Sequence, residues 1–222
     1  MDRLPDNWPE DITFLREQTY SGAVTADARA GLSRTNNETD IWSKIPQSAP
    51  ALQIPNPEVA IKIVSDPKHP AHGQRGLFAT RHLEPDSLIC IYSGHVHTNA
   101  LSDTDSKSDY DLSYDKELGL SIDGAKSGNE SRFANDYRGI AERSNAEFRD
   151  CFIQVPSEKR AGGTKWERRV GIFVLSAGKA GKRKAGIREG EEVLINYGKS
   201  FWEARKTMAE FRKDAEMCTS CT

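Results

Sequence analysis

The chain has 222 residues, which suggests one domain with an extension or two small domains, since a typical domain has roughly 150 residues. With 31 basic and 33 acidic residues the formal net charge is −2, which argues against a dedicated nucleic-acid-binding protein because such domains are usually strongly basic. The four cysteines are too few for a disulfide scaffold, and no apolar stretch approaches the roughly 20 residues of a membrane helix, so we expect a soluble intracellular protein.

Residues 1–57 have only 10 Leu, Ile, Val or Phe side chains, and they contain six prolines. We predict an N-terminal extension that is partly extended or disordered. It would dock through scattered apolar anchors such as Trp8, Phe14 and Trp42. A short helix opened by Pro9-Glu-Asp11 is the alternative for its first part.

Residues 58–199 are predicted to form a domain of short strands separated by turn-forming residues. The predicted strands are 59–64, with an apolar face at 59, 61 and 63, then 76–79, 88–92, 148–155, 169–175 and 190–197. The Asp- and Ser-rich stretch 101–116 is predicted to be a polar surface excursion. These patterns indicate a mainly β fold class.

Residues 200–222 are predicted to form a C-terminal helix and a tail. Ser200-Phe-Trp-Glu203 is a capping box that can open a helix. Apolar residues then follow at helical spacing at positions 201, 204, 208, 211 and 215.

Three residue pairs have the spacing of half a metal site, namely His69/His72, His95/His97 and Cys218/Cys221. Two ligands do not complete a tetrahedral zinc site, so solvated loop histidines and a frayed tail are the favoured interpretations, and no metal is expected. A solvated loop is likewise favoured for the basic stretch between 179 and 188.

Two further segments could carry chemistry. Gly73-Gln-Arg-Gly76 lets the backbone approach a ligand closely, although an ordinary turn is favoured for this motif taken alone. The stretch from Asn129 to Arg138 is dense in donors, acceptors and aromatic rings. Such a stretch can be buried only when its polar groups are paired, which indicates a structured polar site.

Five segments, taken together and in order, resemble the SET domain of protein lysine methyltransferases. They are Gly76-Leu-Phe-Ala79, Ile91-Tyr-Ser-Gly94, Gly128-Asn-Glu-Ser-Arg-Phe-Ala-Asn135, Ser144-Asn-Ala-Glu-Phe148 and Gly190-Glu-Glu-Val-Leu-Ile-Asn-Tyr-Gly198. They look like the family motifs KGxGxFA, YxG, gNxxRFxN, pNxx[FY] and GEELxxDYG. Each motif is weak alone, but five in register identify the family.

The resemblance implies a SET-domain fold with knot-like threading, with S-adenosyl-L-methionine (SAM) on one face and a lysine channel entering from the other. It implies that Tyr197 positions the lysine amine and that Tyr92 also lines the channel. The implied cofactor-binding residues are Arg75, Gly76, Leu77, Asn135, Asp136 and Trp202, and the implied channel residues are Phe148 and Ile195. Either Phe201 or Trp202 would cover the adenine, and packing between helix and core is an equal alternative for both.

Several positions depart from the family pattern. The departures are Gln74 for a glycine, Asp136 for a histidine, Tyr137-Arg138 for the Ser-Cys that supplies a zinc ligand, and Asn196 for an aspartate. They keep open a second hypothesis, a catalytically inactive SET-fold binding or scaffold protein of chromatin. The retained Tyr92, Asn135 and Tyr197 favour the enzyme.

The implied activity is transfer of a methyl group from SAM to a lysine side chain of a protein, with S-adenosyl-L-homocysteine (SAH) as product. The substrate would be a histone tail or a non-histone protein in the nucleus or the cytoplasm. We expect a monomer that has no membrane segment and no direct nucleic-acid site. The sequence names neither the substrate nor the lysine.

Overall fold

Short strands dominate the protein. The computed structural model describes residues 4–33, 42–156, 163–178, 186–199, 201–203 and 205–206. The strands are β1 Thr13–Phe14, β2 Thr19–Tyr20, β3 Ser43–Ile45, β4 Val59–Ile63, β5 Arg75–Ala79, β6 Leu88–Ile91, β7 His95–Thr98, β8 Asp111–Asp115, β9 Leu120–Asp123, β10 Ser127–Gly128, β11 Asn135–Asp136, β12 Ala146–Pro156, β13 Thr164–Val174 and β14 Leu194–Ile195. The helix α1 is Ala26–Gly31, and 3-10 helices cover Pro50–Leu52 and Glu130–Phe133. The predicted mainly β class is confirmed.

Two four-stranded sheets form the body of the described chain, in the orders β3-β12-β13-β6 and β2-β7-β9-β8. Three two-stranded sheets, β4-β5, β1-β10 and β11-β14, complete the set. The predicted strands 148–155 and 169–175 pair with each other as a hairpin and are longer than expected, since β12 and β13 pair from Ala146↔Val174 to Pro156↔Thr164. The parallel β11-β14 pair sets residues 135–136 beside residues 194–195. The knot-like threading of these segments remains a prediction.

The main core cluster lies between β4, β5, β6, β13 and β14. Leu77, Ile89 and Ile172 are fully buried in it, and Ile195 is almost so. The predicted apolar face of the first long strand is wrong at one position, because Val59 and Ile61 are buried whereas Ile63 is 49% exposed. The last residue of β4 lies beyond the cluster that covers the other two.

The stretch 101–116 is not simply the predicted surface excursion. Its last part is β8, which pairs antiparallel with β9 at the edge of a four-stranded sheet. Tyr114 on β8 is 1% exposed. Its hydroxyl donates to the carbonyl of Arg168 and accepts a hydrogen bond from Arg169, so the polar end is paired inside the core. The alternation of Leu112 and Tyr114 with polar residues was the overlooked strand signal.

The segment 1–57 contributes strands to three sheets. Within its described parts, β1 runs parallel to β10, β2 parallel to β7, and β3 parallel to β12. The alternative of a short helix near Pro9 is wrong, because Thr13 and Phe14 form β1. The ring of Trp8 packs edge-on against Phe14 and Phe133, at centroid distances of 4.9 and 5.5 Å. Aromatic packing therefore ties this segment to the buried turn that precedes β11.

The polar stretch from Asn129 to Arg138 is buried and paired, as its composition indicates. Asn129 donates to the carbonyl of Ile91 at 2.9 Å and accepts from the hydroxyl of Ser131 at 2.6 Å. The Arg132 side chain, 9% exposed, donates to the carbonyl of Gly124 at 2.9 Å. Pairing of this kind offsets the cost of burying polar groups and gives β11 a rigid start.

Several predicted features lie outside the described residues. They are Ser200 of the capping box, the helix positions 204, 208, 211 and 215, the pair Cys218/Cys221 and the basic residues 179–184. Lys199, 201–203 and 205–206 are helical. In the described chain, none of the helices has the length and apolar character that crossing a membrane requires.

Candidate active site

A cleft of about 690 Å³ opens where the loop between β4 and β5, the segment around β11 and the residues after β14 meet. Its lining also includes Pro9, Asp11 and Ile12 from the N-terminal segment. Half of the ten site residues that the sequence predicts line this cleft, namely Arg75, Asn135, Asp136, Tyr197 and Trp202. Its size lies within the range of roughly 300–1,000 Å³ that is typical of small-molecule sites.

Asp136 is the central hydrogen-bond acceptor of the cleft wall. Its side chain is buried, and one carboxylate oxygen accepts from the backbone N–H of Tyr197 at 2.8 Å and from Trp202 Nε1 at 3.3 Å. The Arg138 guanidinium and backbone N–H donate to the same carboxylate, each at 2.9 Å. This departure from the family pattern thus fastens the segment after β14 to β11.

Tyr197 lines the cleft, and its hydroxyl proton is already used in a hydrogen bond. The hydroxyl donates to the carbonyl of Ala134 at 3.0 Å. Burial raises the pKa of Tyr197 above its usual value, and the neighbouring Tyr110 and Asp136 raise it further. The group is therefore a neutral hydroxyl whose oxygen can still accept a hydrogen bond, which suits positioning better than proton abstraction.

An aromatic cluster surrounds Tyr197. The Phe201 ring meets it edge-on at 4.9 Å, and the Trp202 ring stacks nearly parallel to it at 6.4 Å. Trp202 is 40% exposed, so one part of its ring packs inside the protein while the rest faces the cleft. Both alternatives for Trp202, packing and ligand contact, are compatible with this placement.

Tyr92 lies behind the cleft wall. It is 5% exposed, and its hydroxyl donates to the carbonyl of Tyr110, a cleft residue, at 2.6 Å. Burial raises the pKa of Tyr92, and the nearby Asp123 adds to this. A Cβ at Gly124 would lie 2.9 Å from the Tyr92 hydroxyl, so the close approach depends on a glycine there.

Asn135 is fixed by both hydrogens of its amide. The amide nitrogen donates to Glu192 Oε1 at 2.8 Å and to the carbonyl of Arg75 at 3.3 Å. A Cβ at Gly76 would lie 2.6 Å from the same Glu192 oxygen. The glycine of the first motif therefore leaves the space through which the carboxylate reaches Asn135. The Arg75 guanidinium donates to the carbonyl of Asn7 at 2.7 Å, which joins the N-terminal segment to this wall.

The other predicted site residues lie outside the cleft lining. Leu77 is fully buried, and its carbonyl accepts from the backbone N–H of Val193 at 2.7 Å. Ile195 is 2% exposed in the main core cluster. Phe148 is half-buried and meets the Tyr92 ring edge-on at 5.7 Å.

Sequence reasoning missed His69 and Glu192 as members of the site. The prediction of solvated loop histidines is wrong for His69, whose side chain is 7% exposed and bonds Glu192 at 3.0 Å. It is also wrong for His97, which is 3% exposed and bonds Asp111 at 3.1 Å. The one signal at His69 is its place between Pro67 and Pro70, beside the glycine motif.

Across the ranges that the structure describes, no group of three or more His, Cys, Asp or Glu residues is placed to hold a metal ion. In the pair His69/His72, His69 forms a hydrogen bond with Glu192. The pair 95/97 is split, because His95 bonds Thr19 at 3.0 Å whereas His97 bonds Asp111.

A family model of the SET domain matches residues 74–198, which is more than half of the chain. The chain belongs to the SET-domain family, and the resemblance stated from its motifs is confirmed. No curated protein matches the chain.

Among solved structures, chains of a polycomb repressive complex 2 are similar to part of this chain. One is ctPRC2 in an autoinhibited conformation bound to S-adenosylmethionine, with 21% identity, a TM-score of 0.45 and coverage of 72% of this chain and 17% of that chain. Another is the crystal structure of the Chaetomium thermophilum complex, with 22% identity, a TM-score of 0.43 and coverage of 67% and 16%. This chain thus spans less than a fifth of the length of each of these two chains.

Proposed function

We propose that this chain is a SAM-dependent protein lysine N-methyltransferase. The observation that carries the proposal is the cleft itself. In a chain of the SET-domain family, one cavity gathers the motif residues Asn135 and Tyr197 with the backbone of Arg75 and an exposed face of Trp202. The substrate is a protein with an exposed lysine, and both histone tails and non-histone proteins are to be tested. A monomer in the nucleus or the cytoplasm is part of the same proposal.

The donor and acceptor groups of the cleft fit SAM. Its adenine suits the aromatic surface of Trp202 and Phe201, and the ammonium of its amino-acid part suits the oxygen of the Asn135 amide. When bound, SAM supplies a methyl carbon that is electrophilic because it is attached to a sulfonium. We propose that Arg75, Gly76 and Leu77 contribute through their backbone, whereas the Asp136 side chain serves Tyr197 and Trp202. The proposal needs no metal.

The chain's own task is to prepare and place the lysine amine. A free lysine has a pKa of about 10.4 and is mostly protonated at neutral pH. That pKa is lowered beside the neighbouring sulfonium cation, and the proton leaves through water. The Tyr197 oxygen, whose proton is held by Ala134, accepts a hydrogen bond from the amine and sets its direction. Positioning of this kind is worth about 7–11 kcal/mol in well-oriented systems.

Two measurements test the proposal. Calorimetric titration with SAM should show binding with a stoichiometry of about one, since this cleft has room for one cofactor molecule. Transfer of a radiolabelled methyl group to histones and to a cell extract, read out by mass spectrometry, should then identify the modified lysine. Absence of SAM binding would overturn the proposal. Binding without transfer to either substrate pool would favour the inactive scaffold, for which the Gln74 and Asp136 departures are the main support.

The pH dependence of the rate should follow the substrate amine rather than Tyr197. Because burial raises the pKa of Tyr197, its hydroxyl stays neutral when the pH passes its usual value of about 10. We expect kcat/KM to rise from about pH 7 to about pH 10.5 as the amine loses its proton, with no fall above pH 10. A fall of the rate within that interval, absent in Tyr197→Phe, would contradict the assignment of a raised pKa.

Replacement of Asn135 by alanine should weaken SAM binding by about 1–3 kcal/mol, because a polar partner in the cleft is lost. Calorimetry of the variant against the parent measures the difference. Asn99→Ala is the matched control, since Asn99 is exposed and bonds Ser121 away from the cleft. Equal affinity of the Asn135 variant and the parent would remove Asn135 from the cofactor site.

The product should go beyond monomethyl-lysine. At the two positions that the resemblance assigns to the channel, Phe148 and Ile195, the chain carries no hydroxyl that could hold a water beside the amine. An apolar wall also favours the bulkier methylated amine, by about 0.8 kcal/mol per buried carbon. Burial of Ile195 leaves Phe148, which packs on Tyr92, as the residue to vary.

Mass spectrometry of a substrate lysine at long times with excess SAM measures the product. We expect di- or trimethyl-lysine for the parent and a shift toward monomethyl-lysine for Phe148→Tyr. A parent product that stops at one methyl group, and that the substitution does not alter, would rule the idea out.

A further inference from the structure

The loop between β4 and β5 brings a buried histidine to the back of the cleft. His69 lies in this loop, whose base is closed by backbone bonds between Val64 and residues Gly73 and Gln74 at 2.9 and 2.8 Å. The side chain of His69 is 7% exposed, and that of its partner Glu192 is 10% exposed. A pair of this kind, away from bulk water, holds one arrangement firmly because each lost bond leaves a buried polar atom unpaired.

The direction of the bonds follows from the ring nitrogens. His69 Nδ1 accepts a hydrogen bond from the backbone N–H of Ala71 at 3.0 Å. The ring proton therefore lies on Nε2, which donates to Glu192 Oε2 at 3.0 Å. The other carboxylate oxygen, Oε1, accepts from Asn135 Nδ2 at 2.8 Å. The loop backbone thus fixes His69, His69 fixes Glu192, and Glu192 fixes Asn135.

This chain of bonds determines which atom Asn135 can offer to a ligand. One amide hydrogen points to Glu192 and the other to the carbonyl of Arg75, at 3.3 Å. The carbonyl oxygen is what remains for the cleft, and a carbonyl oxygen recognises a hydrogen-bond donor. If Glu192 swung away, the amide could turn over and present its NH₂ group instead, which repels a cationic donor.

We infer that His69 is a positioning residue which, through Glu192, holds the Asn135 amide with its carbonyl oxygen toward the cleft, where it takes the ammonium group of the cofactor's amino-acid part. The inference rests on the proposed function for the identity of the ligand. The relay itself rests on the contacts alone. Its residues are distant in sequence, since His69 and Glu192 are 123 positions apart.

Two ligands separate positioning of Asn135 from a general loss of structure. SAH carries the amino-acid part, whereas methylthioadenosine lacks it. We expect His69→Ala to weaken SAH binding about tenfold in calorimetry, the size of one lost hydrogen bond to a charged group, and to leave methylthioadenosine binding unchanged. His69→Gln should recover most of the loss because its amide N–H can replace Nε2–H. His82→Ala, at an exposed histidine paired with Glu84, is the matched control.

Equal losses for the two ligands, or SAH binding that His69→Ala does not change, would overturn the inference. A second measurement needs no ligand. In ¹H–¹⁵N spectra of the free protein, the side-chain amide signals of Asn135 should move in His69→Ala and stay in place in His82→Ala. If they stay in both, the relay is wrong whatever the ligand. If they move but the parent binds neither ligand, the relay stands, and both the proposed function and the ligand assigned to Asn135 fail.

Discussion

Replacement of Tyr197 by phenylalanine should lower the rate of methyl transfer by about 10²–10³-fold, the range found when one positioned hydrogen-bonding group is removed from an active site. The ring, its stacking with Trp202 and its edge contact with Phe201 are kept. What is lost is an oxygen that, with its own proton given to the Ala134 carbonyl, can only accept a bond from the incoming amine.

The cofactor side of the cleft should be almost unaffected by this change. Asp136 and the backbone N–H of Tyr197 keep their bond, because a backbone donor does not depend on the side chain. We therefore expect SAH affinity within about twofold of the parent while the single-turnover rate falls, the pattern of a group that acts mainly in the transition state. The affinity is measured by calorimetry and the rate by rapid quenching.

Tyr137→Phe is the matched control for this experiment. Tyr137 follows the lining residue Asp136 in the sequence but does not line the cleft itself. Its ring packs against the Arg138 guanidinium, whose central carbon lies 5.1 Å from the ring centroid. Tyr137→Phe should retain the parent rate. A Tyr197→Phe variant that also retains most of its activity would show that another group positions the amine.

Local motifs predicted the parts of the site that stand close together in the chain. Asn135 lies in one short segment and Tyr197 in another, so a linear pattern is enough to identify them. Arg75 and Trp202 followed from their places beside those motifs. The parallel pairing of β11 with β14 then brings the segments together, as the resemblance implies.

Long-range partners could not be read in the same way. The bond between Asp136 and the backbone of Tyr197 joins residues 61 apart, and that between His69 and Glu192 joins residues 123 apart. No local periodicity records such a pair, because either residue alone is compatible with a solvated loop. The burial of Tyr114 was not predicted for the same reason, since its partner Arg168 lies on a strand 54 residues later.

Replacement of Asp136 by alanine should be the most damaging change in the cleft for both stability and activity. The buried carboxylate accepts bonds from Tyr197, Trp202 and Arg138. Its removal leaves the Tyr197 backbone N–H and the Trp202 indole without their acceptor, and we expect a loss of about 2–4 kcal/mol in the free energy of unfolding. Since the same bonds hold Tyr197 and Trp202 against β11, SAH affinity and turnover should fall together.

Replacement of Asp136 by asparagine, which has nearly the same shape, should also destabilise the protein. This variant tests whether Asp136 acts through its two acceptor oxygens or only fills space. Both oxygens of Asp136 accept: one faces Tyr197 and Trp202, and the other faces the backbone N–H of Arg138. An asparagine has one oxygen, so its NH₂ group must face a donor on one side or the other. In urea unfolding, the free energy of unfolding should therefore fall almost as much in Asp136→Asn as in Asp136→Ala. Asp86→Asn, at a largely exposed carboxylate paired with Arg149, should change little. An asparagine variant as stable and active as the parent would mean that the geometry at Asp136 needs one acceptor only, and that the carboxylate does not fasten the segment after β14.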